Sequence, residues 1–142
     1  GALFGTGGGE RHLGRARDQA QQWLEFVGLA HLAAQRADAL GGPDRKRLEL
    51  AKALAMKPRL LLLDEVMAGL TPTEIDQVVT LIGKIREGGV TILVVEHVMS
   101  AIRSLSDRLL VLHHGEQIAE GAPDEVLRDP RVIEAYLGRR RA

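Results

Sequence analysis

The chain of 142 residues contains no cysteine. Neither a disulfide framework nor a thiolate metal site can therefore hold it together, which is compatible with a reducing compartment. Aromatic residues make up only 3% of the chain against 45% apolar residues in all, so a core has to be assembled mainly from Leu, Val, Ile and Ala. No excess of one sign of charge exists: 19 Lys and Arg balance 19 Asp and Glu. No global field then draws the chain onto nucleic acid or an anionic membrane. No apolar run approaches the roughly 20 residues of a membrane span. The longest candidate is Leu60-Leu61-Leu62-Leu63, so a membrane role is expected to come through a partner. Gly1 to Glu10 has no apolar stretch behind a basic flank of the kind that begins a secretory signal. Also missing is any Gly-x-x-x-x-Gly-Lys-Ser/Thr phosphate-binding loop. The glycines from Gly5 to Gly9 are followed by no Gly-Lys-Ser/Thr and read as a loose segment.

What is present is organised by periodicity. Ala16, Ala20, Trp23, Leu24 and Val27 recur at helical spacing, which predicts a helix from about Arg15 to Val27 stopped by Gly28. A shorter helix is expected over Leu29 to Arg36. After Gly41-Gly42-Pro43, the residues Leu48, Ala51, Leu54 and Ala55 repeat the helical period from Asp44 to Met56. Pro43 suits a first helical position, where no amide donor is needed, and Lys57-Pro58 ends the run. Leu60 to Leu63 then reads as a strand buried on both faces of a parallel sheet. Thr71, Pro72 and Glu74 form a capping-box pattern. It opens a helix through Ile75, Val78, Val79, Ile82 and Ile85 that stops at Gly88-Gly89. Val90 to Val95 is a second buried strand and Val98 to Leu105 a helix. Leu109 to Leu112 and Gln117 to Ala119 are two short strands joined near His113-His114-Gly115. Two short helices follow, about Pro123 to Arg128 and Arg131 to Leu137. Helices first, then strands alternating with helices, indicate an α/β fold with a parallel sheet and flanking helices, preceded by an N-terminal helical subdomain. The expected division is a flexible segment over 1–14, a helical subdomain over 15–58, and an α/β unit with a C-terminal hairpin and helices over 59–142.

Chemistry concentrates at strand ends. The apolar run leads directly into Asp64-Glu65, and α/β sheets bind ligands beyond the carboxyl ends of their strands. Two acids there could hold a hydrated Mg²⁺ and position a water; equally, they could simply begin a loop or cap a helix. His97 follows the next strand, where it could meet a terminal phosphate or be an ordinary strand-end histidine. His113-His114 could suggest a metal, but adjacent hairpin histidines rarely both face one ion. Trp23 reads as packing between helices, Arg45-Lys46-Arg47 as a solvated helix face, and Arg139-Arg140-Arg141 as a solvated, frayed end.

The order of these features carries more than any one of them. A glycine-containing turn opens a helix ending in Ala51-Lys52-Ala53-Leu54-Ala55. Then come four apolar residues, Asp-Glu, the loop Gly69-Leu70-Thr71-Pro72, a helix, a strand and a histidine. Over nearly the full chain this resembles the ABC ATPase family, in its part C-terminal to the Walker A loop. Leu40 to Arg47 lies where that family has its Leu-Ser-Gly-Gly-Gln signature. Leu60 to Glu65 resembles the Walker B segment, Ala68 to Thr71 the D-loop, and His97 the switch histidine. The tail, Gly121-Ala122-Pro123-Asp124-Glu125-Val126, Asp129-Pro130 and Val132 to Gly138, looks like subunits of branched-chain amino-acid importers and their urea and amide relatives.

The resemblance implies a C-terminal part of a P-loop ATPase domain that binds ATP with Mg²⁺. Asp64 would hold the Mg²⁺ through water, Glu65 would act as general base, His97 would bind the γ-phosphate, and Gly41 and Gly42 would contact nucleotide from the signature helix. Implied partners are a second ABC ATPase subunit, transmembrane permease subunits and, indirectly, a periplasmic solute-binding protein, with no nucleic acid. The implied location is peripheral, on the cytoplasmic face of the inner membrane. Two departures from the family pattern matter. Without a Walker A loop and the glutamine loop, this chain alone is expected to bind nucleotide weakly and turn over negligibly, as a piece of a longer product. In the signature, Gly41 replaces serine, Pro43 replaces a glycine and offers no amide to a phosphate, and Asp44 sets negative charge near one. A one-residue shift would restore both glycines but disturbs the match from Leu48 to Leu54. The leading reading is an ATPase subunit energising uptake of branched-chain amino acids or similar solutes. The alternative is a non-catalytic dimerisation or regulatory module. A DNA-repair or chromosome-organising ATPase is disfavoured by the short segment before the signature and the balanced charge.

Overall fold

The computed structural model describes residues 7–136. Arg139-Arg140-Arg141, Leu137-Gly138 and the start of the glycine segment lie outside them. The elements in order are α1 (Gly7–Phe26), α2 (Gly42–Ala55), β1 (Leu60–Asp64), α3 (Pro72–Glu87), β2 (Thr91–Val95), α4 (Met99–Leu105), β3 (Leu109–His113), β4 (Glu116–Gly121), α5 (Pro123–Val126) and α6 (Pro130–Tyr136).

The first helix starts at Gly7, not near Arg15, so residues 7–14 are helical where a loose segment was expected. After Gly9 the stretch contains the good helix formers Glu10, Arg11, Leu13 and Arg15, which outweigh Gly14. Leu13 is 70% exposed, so tertiary packing is not what makes this part helical. The helix expected over Leu29 to Arg36 is absent. In its place are two single 3₁₀ turns, Ala30–Leu32 and Ala37–Ala39. Leu29 is 1% exposed and Leu32, one turn on, packs against the same core. Beyond Leu32 the segment to Arg36 offers only Ala33, Ala34, Gln35 and Arg36, all exposed, so no apolar stripe extends the turn into a helix.

β1 and β2 pair in parallel, with Leu61 opposite Ile92 and Leu63 opposite Val94. Leu61 and Leu63 point into the core, against α2 and α3. The other face corrects the expectation of strands buried on both sides: Leu60, Leu62, Leu93 and Val95 are each more than half exposed. A continuous apolar run reads alike whether one face or both are covered, so only the tertiary arrangement decides. β3 does not join this sheet. It pairs antiparallel with β4 in a separate hairpin, closed by His114 and Gly115, both at positive φ (49° and 81°), as a two-residue hairpin turn requires.

One apolar cluster runs from Val27 and Leu29 through Ala51 and Leu54 of α2, Leu61 and Leu63 of β1 and Val78 to Ile85 of α3 to Ala101 and Leu105 of α4. Trp23 packs on its edge, in an edge-to-face contact with Phe26. The hairpin has its own smaller cluster of Val111, Ala119, Val126 and Val132, and Tyr136 closes it by donating its hydroxyl to the Leu112 carbonyl at 2.7 Å.

Candidate functional site

The parallel pairing of β1 with β2 sets their C-terminal ends side by side, with Asp64 opposite Val95. One further rung continues the ladder: the Glu65 N–H donates to the Val95 carbonyl at 2.9 Å. Beyond this rung both strands stop and their next residues come together. His97 Nδ1 lies 3.9 Å from Glu65 Oε1, with both side chains more than half exposed. Asp64 is exposed at the same rim, and no cation of the described residues pairs with it within salt-bridge distance. The three residues expected to act together are thus brought to one edge of a parallel sheet.

Glu65 has φ of 47°, the left-handed region that side chains with a Cβ seldom occupy. Strain of this kind persists only where the surroundings hold it, and it concentrates at functional sites. The loop then returns sharply. Ala68 N–H donates to the Glu65 carbonyl at 3.2 Å and Leu70 N–H to the Met67 carbonyl at 3.2 Å. Gly69 sits at φ of 75°, a conformation that glycine adopts at little cost.

At the exit of the loop, Thr71 caps α3. Its N–H and hydroxyl donate to Glu74 Oε2 at 2.7 and 2.8 Å, and the Glu74 N–H returns to the Thr71 hydroxyl at 3.4 Å. The Thr71 amide first, then its hydroxyl, hold the Glu74 carboxyl below the usual carboxylate range.

The signature-like turn lies apart from this rim, at the start of α2. Gly41 is the N-cap and no side chain caps the helix. Pro43 falls in the first turn, as its missing amide allows. Neither Gly41 nor Gly42 is crowded within the chain: a Cβ built on either meets nothing within 4 Å. Glycine here is therefore not demanded by the packing of these residues.

Two basic residues of this helix do not form the solvated face expected of them. Lys46 is half-buried and donates to the Ala68 carbonyl, and Arg47, also half-buried, donates to Gln77 Oε1 of α3. Arg45 does stay exposed, donating to the Leu40 carbonyl at 3.2 Å. The signature helix is thereby tied to the loop that follows Glu65. Sequence reading also missed Glu96, whose Oε1 accepts the Met67 N–H at 2.9 Å. Its only signal was position, between the strand and His97.

Two family descriptions match the chain: "ABC transporter" over residues 5–68 and "Branched-chain amino acid ATP-binding cassette transporter" over 116–142. The high-affinity branched-chain amino acid transport ATP-binding protein BraF of Pseudomonas aeruginosa is 41% identical over 137 residues, 96% of this chain and 54% of the relative. The chain belongs to the ABC transporter ATP-binding family. LivG of Escherichia coli K12, described in the same words as BraF, is 39% identical over 137 residues, again 96% of this chain and 54% of LivG. The lipopolysaccharide export system ATP-binding protein LptB of the same organism is 33% identical over 85% of this chain and 50% of LptB. Among solved structures, the ADP conformation of MJ1267, an ATP-binding cassette of an ABC transporter, superposes with a TM-score of 0.78 at 33% identity, over 85% of this chain and 49% of that one. The chain spans about half the length of the curated relatives it matches.

The donor set suits the ligands such a cassette implies. The Asp64 carboxylate is exposed and faces no cation of the described residues, as an oxygen ligand to hydrated Mg²⁺ should. The uncrowded start of α2 has free backbone N–H groups to offer an anion, fewer by the one that Pro43 lacks.

Proposed function

We propose that this chain carries the Walker B, D-loop and switch-histidine part of an ATP-hydrolysing subunit that energises uptake of branched-chain amino acids or similar small solutes. The observation that carries the reading is the meeting of Glu65 and His97, delivered by two adjacent parallel strands to within 3.9 Å, beside Asp64 at the same rim. In this assignment Glu65 is the general base and holds a water for attack; this is positioning chemistry of the sort on which phosphoryl transfer depends. His97, beside Glu65, would help orient that water and would donate to a terminal phosphate oxygen. Asp64 would hold Mg²⁺ through a water, and the ion would supply neutralisation of the charge on the phosphates. Gly41 and Gly42 let the α2 start approach a nucleotide held mainly by a second ATPase subunit. Permease subunits and, indirectly, a solute-binding protein complete the assembly, which sits peripherally on the cytoplasmic face of the inner membrane. Among the described residues no helix is long and apolar enough to cross a membrane. The match of residues 116–142 to the branched-chain amino acid family supports this solute class over the export class named for LptB.

A hybrid tests this. The chain would replace the C-terminal half of BraF, behind BraF's own N-terminal half, in cells lacking BraF. Expected are ATP hydrolysis by the purified hybrid and restored leucine uptake. Glu65→Gln should lower hydrolysis about 10²- to 10⁴-fold, as loss of a general base does, with nucleotide still bound. A hybrid that folds and binds ATP but hydrolyses none would overturn the assignment in favour of a non-catalytic dimerisation or regulatory module. That second reading draws on Pro43 and Asp44, which remove one amide from the signature turn and add a negative charge to it.

A further inference from the structure

We propose that Glu96 is a positioning residue for hydrolysis: its carboxylate clamps the loop that carries Glu65 and so sets how Glu65 meets His97. This rests on the ATPase reading above and adds a residue which that reading leaves idle.

Glu96 is the first residue past β2 and the immediate neighbour of His97. Its side chain crosses to the loop after β1, where Oε1 accepts the Met67 N–H at 2.9 Å. Met67 is two residues beyond Glu65, and at 1% exposure it is itself sunk in the core. Glu65 is therefore held between two ties to the neighbouring strand's end. Before it, its own N–H is bonded to the Val95 carbonyl; after it, the Met67 N–H is bonded to the Glu96 carboxylate. Between these ties Glu65 adopts its left-handed backbone, at φ of 47°. A conformation of that kind lasts only where neighbours over-determine it; Glu96 adds a tie from the neighbouring strand's end to the turn that the Ala68 and Leu70 amides close within the loop. Because the clamp springs from the residue next to His97, the same short segment fixes both members of the pair.

The second carboxylate oxygen leaves the Met67 amide as the contact through which the side chain acts. Glu96 Oε2 is buried and has no hydrogen-bond partner among the described residues. An acceptor kept out of water without a donor works against stability. Exceptions of this kind in native structures call for an explanation, such as strain, a functional role or an ordered water.

The test uses the BraF hybrid for kinetics and the 142-residue chain for amide exchange at Met67. Glu96→Ala should lower kcat about 10- to 100-fold, the scale of a small misplacement of a catalytic group, while the KM for ATP changes less than about twofold. Glu96→Gln, whose amide oxygen still accepts the Met67 N–H, should recover most of that loss. In the chain, exchange at Met67 should quicken about tenfold or more in Glu96→Ala, as expected when a local constraint is lost, and stay near the parent rate in Glu96→Gln. If Glu65→Gln abolishes hydrolysis but Glu96→Ala leaves kcat within twofold, the clamp is wrong and the ATPase reading stands. A loss in Glu96→Ala that appears in KM, or that Glu96→Gln does not rescue, also overturns it. If the parent hybrid or its Glu65→Gln variant shows that the ATPase reading itself fails, the exchange rate alone judges the tie, and unchanged exchange at Met67 refutes it.

Discussion

At the residue scale, the site divides into positions whose chemistry is visible in sequence and positions whose importance depends on what their backbone neighbours do. Asp64, Glu65 and His97 could be nominated because acids and a histidine ended consecutive apolar runs, and the structure does bring Glu65 and His97 into contact distance. Glu96 could not be. Its partner is a backbone amide 29 residues earlier, and amides leave no trace in a side-chain pattern. Lys46 escaped for the same reason, since its acceptor is the Ala68 carbonyl. The signature turn raises a sharper question at this scale. On the ungapped match to the signature, Gly41 would stand in place of a serine hydroxyl donor, and Pro43 in place of a glycine amide. With open space around Gly41 and Gly42, both donors can be restored without steric conflict at Gly41. Gly41→Ser together with Pro43→Gly in the BraF hybrid should raise ATP turnover about tenfold, the worth of one or two recovered hydrogen bonds to a charged group. Steady-state hydrolysis at saturating ATP checks this. Turnover that does not rise would mean that the departures at this turn do not limit the reaction.

At the scale of elements, the helices were legible wherever an apolar stripe had a clear start and stop. α3 is the strongest case. Thr71, Pro72 and Glu74 announced its first turn, Ile75, Val78, Ile82 and Ile85 gave it a core face, and Gly88 ended it. Leu29 to Arg36 failed because Leu29 and Leu32 reach the core from one 3₁₀ turn and no large apolar residue follows them in the segment to carry a longer helix. The sheet was legible in its parallel pairing but not in how many faces are covered. The cap of α3 also matters to the site, because it fixes the exit of the loop that begins at Glu65. Thr71→Ala should destabilise the fold by about 1 kcal/mol, as loss of a threonine cap usually does. The cap also has a pH signature. The Thr71 amide and hydroxyl lower the Glu74 pKa, so in the folded state the ionised form is favoured. The stabilisation is complete above the unfolded glutamate value of about 4.3 and is lost as the pH falls through the lower folded value. Chemical denaturation midpoints measured at pH 7 and at about pH 3 should therefore separate parent from Glu74→Gln at the higher pH and converge at the lower one. A difference that persists unchanged in acid would show that the carboxylate does not carry the cap.

At the scale of the whole molecule, the outer face of the parallel pair decides behaviour. Leu60 and Leu62 of β1 stand beside Leu93 and Val95 of β2, at 55%, 65%, 57% and 55% exposure. Because these strands pair in register, Leu62 faces Leu93 directly, and the four side chains form one patch above Asp64 and Glu65. Covering large aliphatic side chains is worth about 1.5–3 kcal/mol each when burial is complete. A patch of this size on a monomer is therefore a strong driver of association. The outer edges of the two strands add to it, since among the described residues no strand pairs beyond either. No net charge opposes the contact, with 19 basic and 19 acidic residues in the chain. The 142-residue polypeptide should accordingly self-associate at micromolar concentration, and Leu62→Lys with Leu93→Glu should shift it toward monomer. Sedimentation velocity of parent and double variant measures both. The packed face of the sheet, built from Leu61, Leu63, Ile92 and Val94, is untouched by these changes, so the far-ultraviolet circular dichroism of the two proteins should superimpose. A parent that sediments as a monomer across that range would show that the four exposed side chains alone do not drive association.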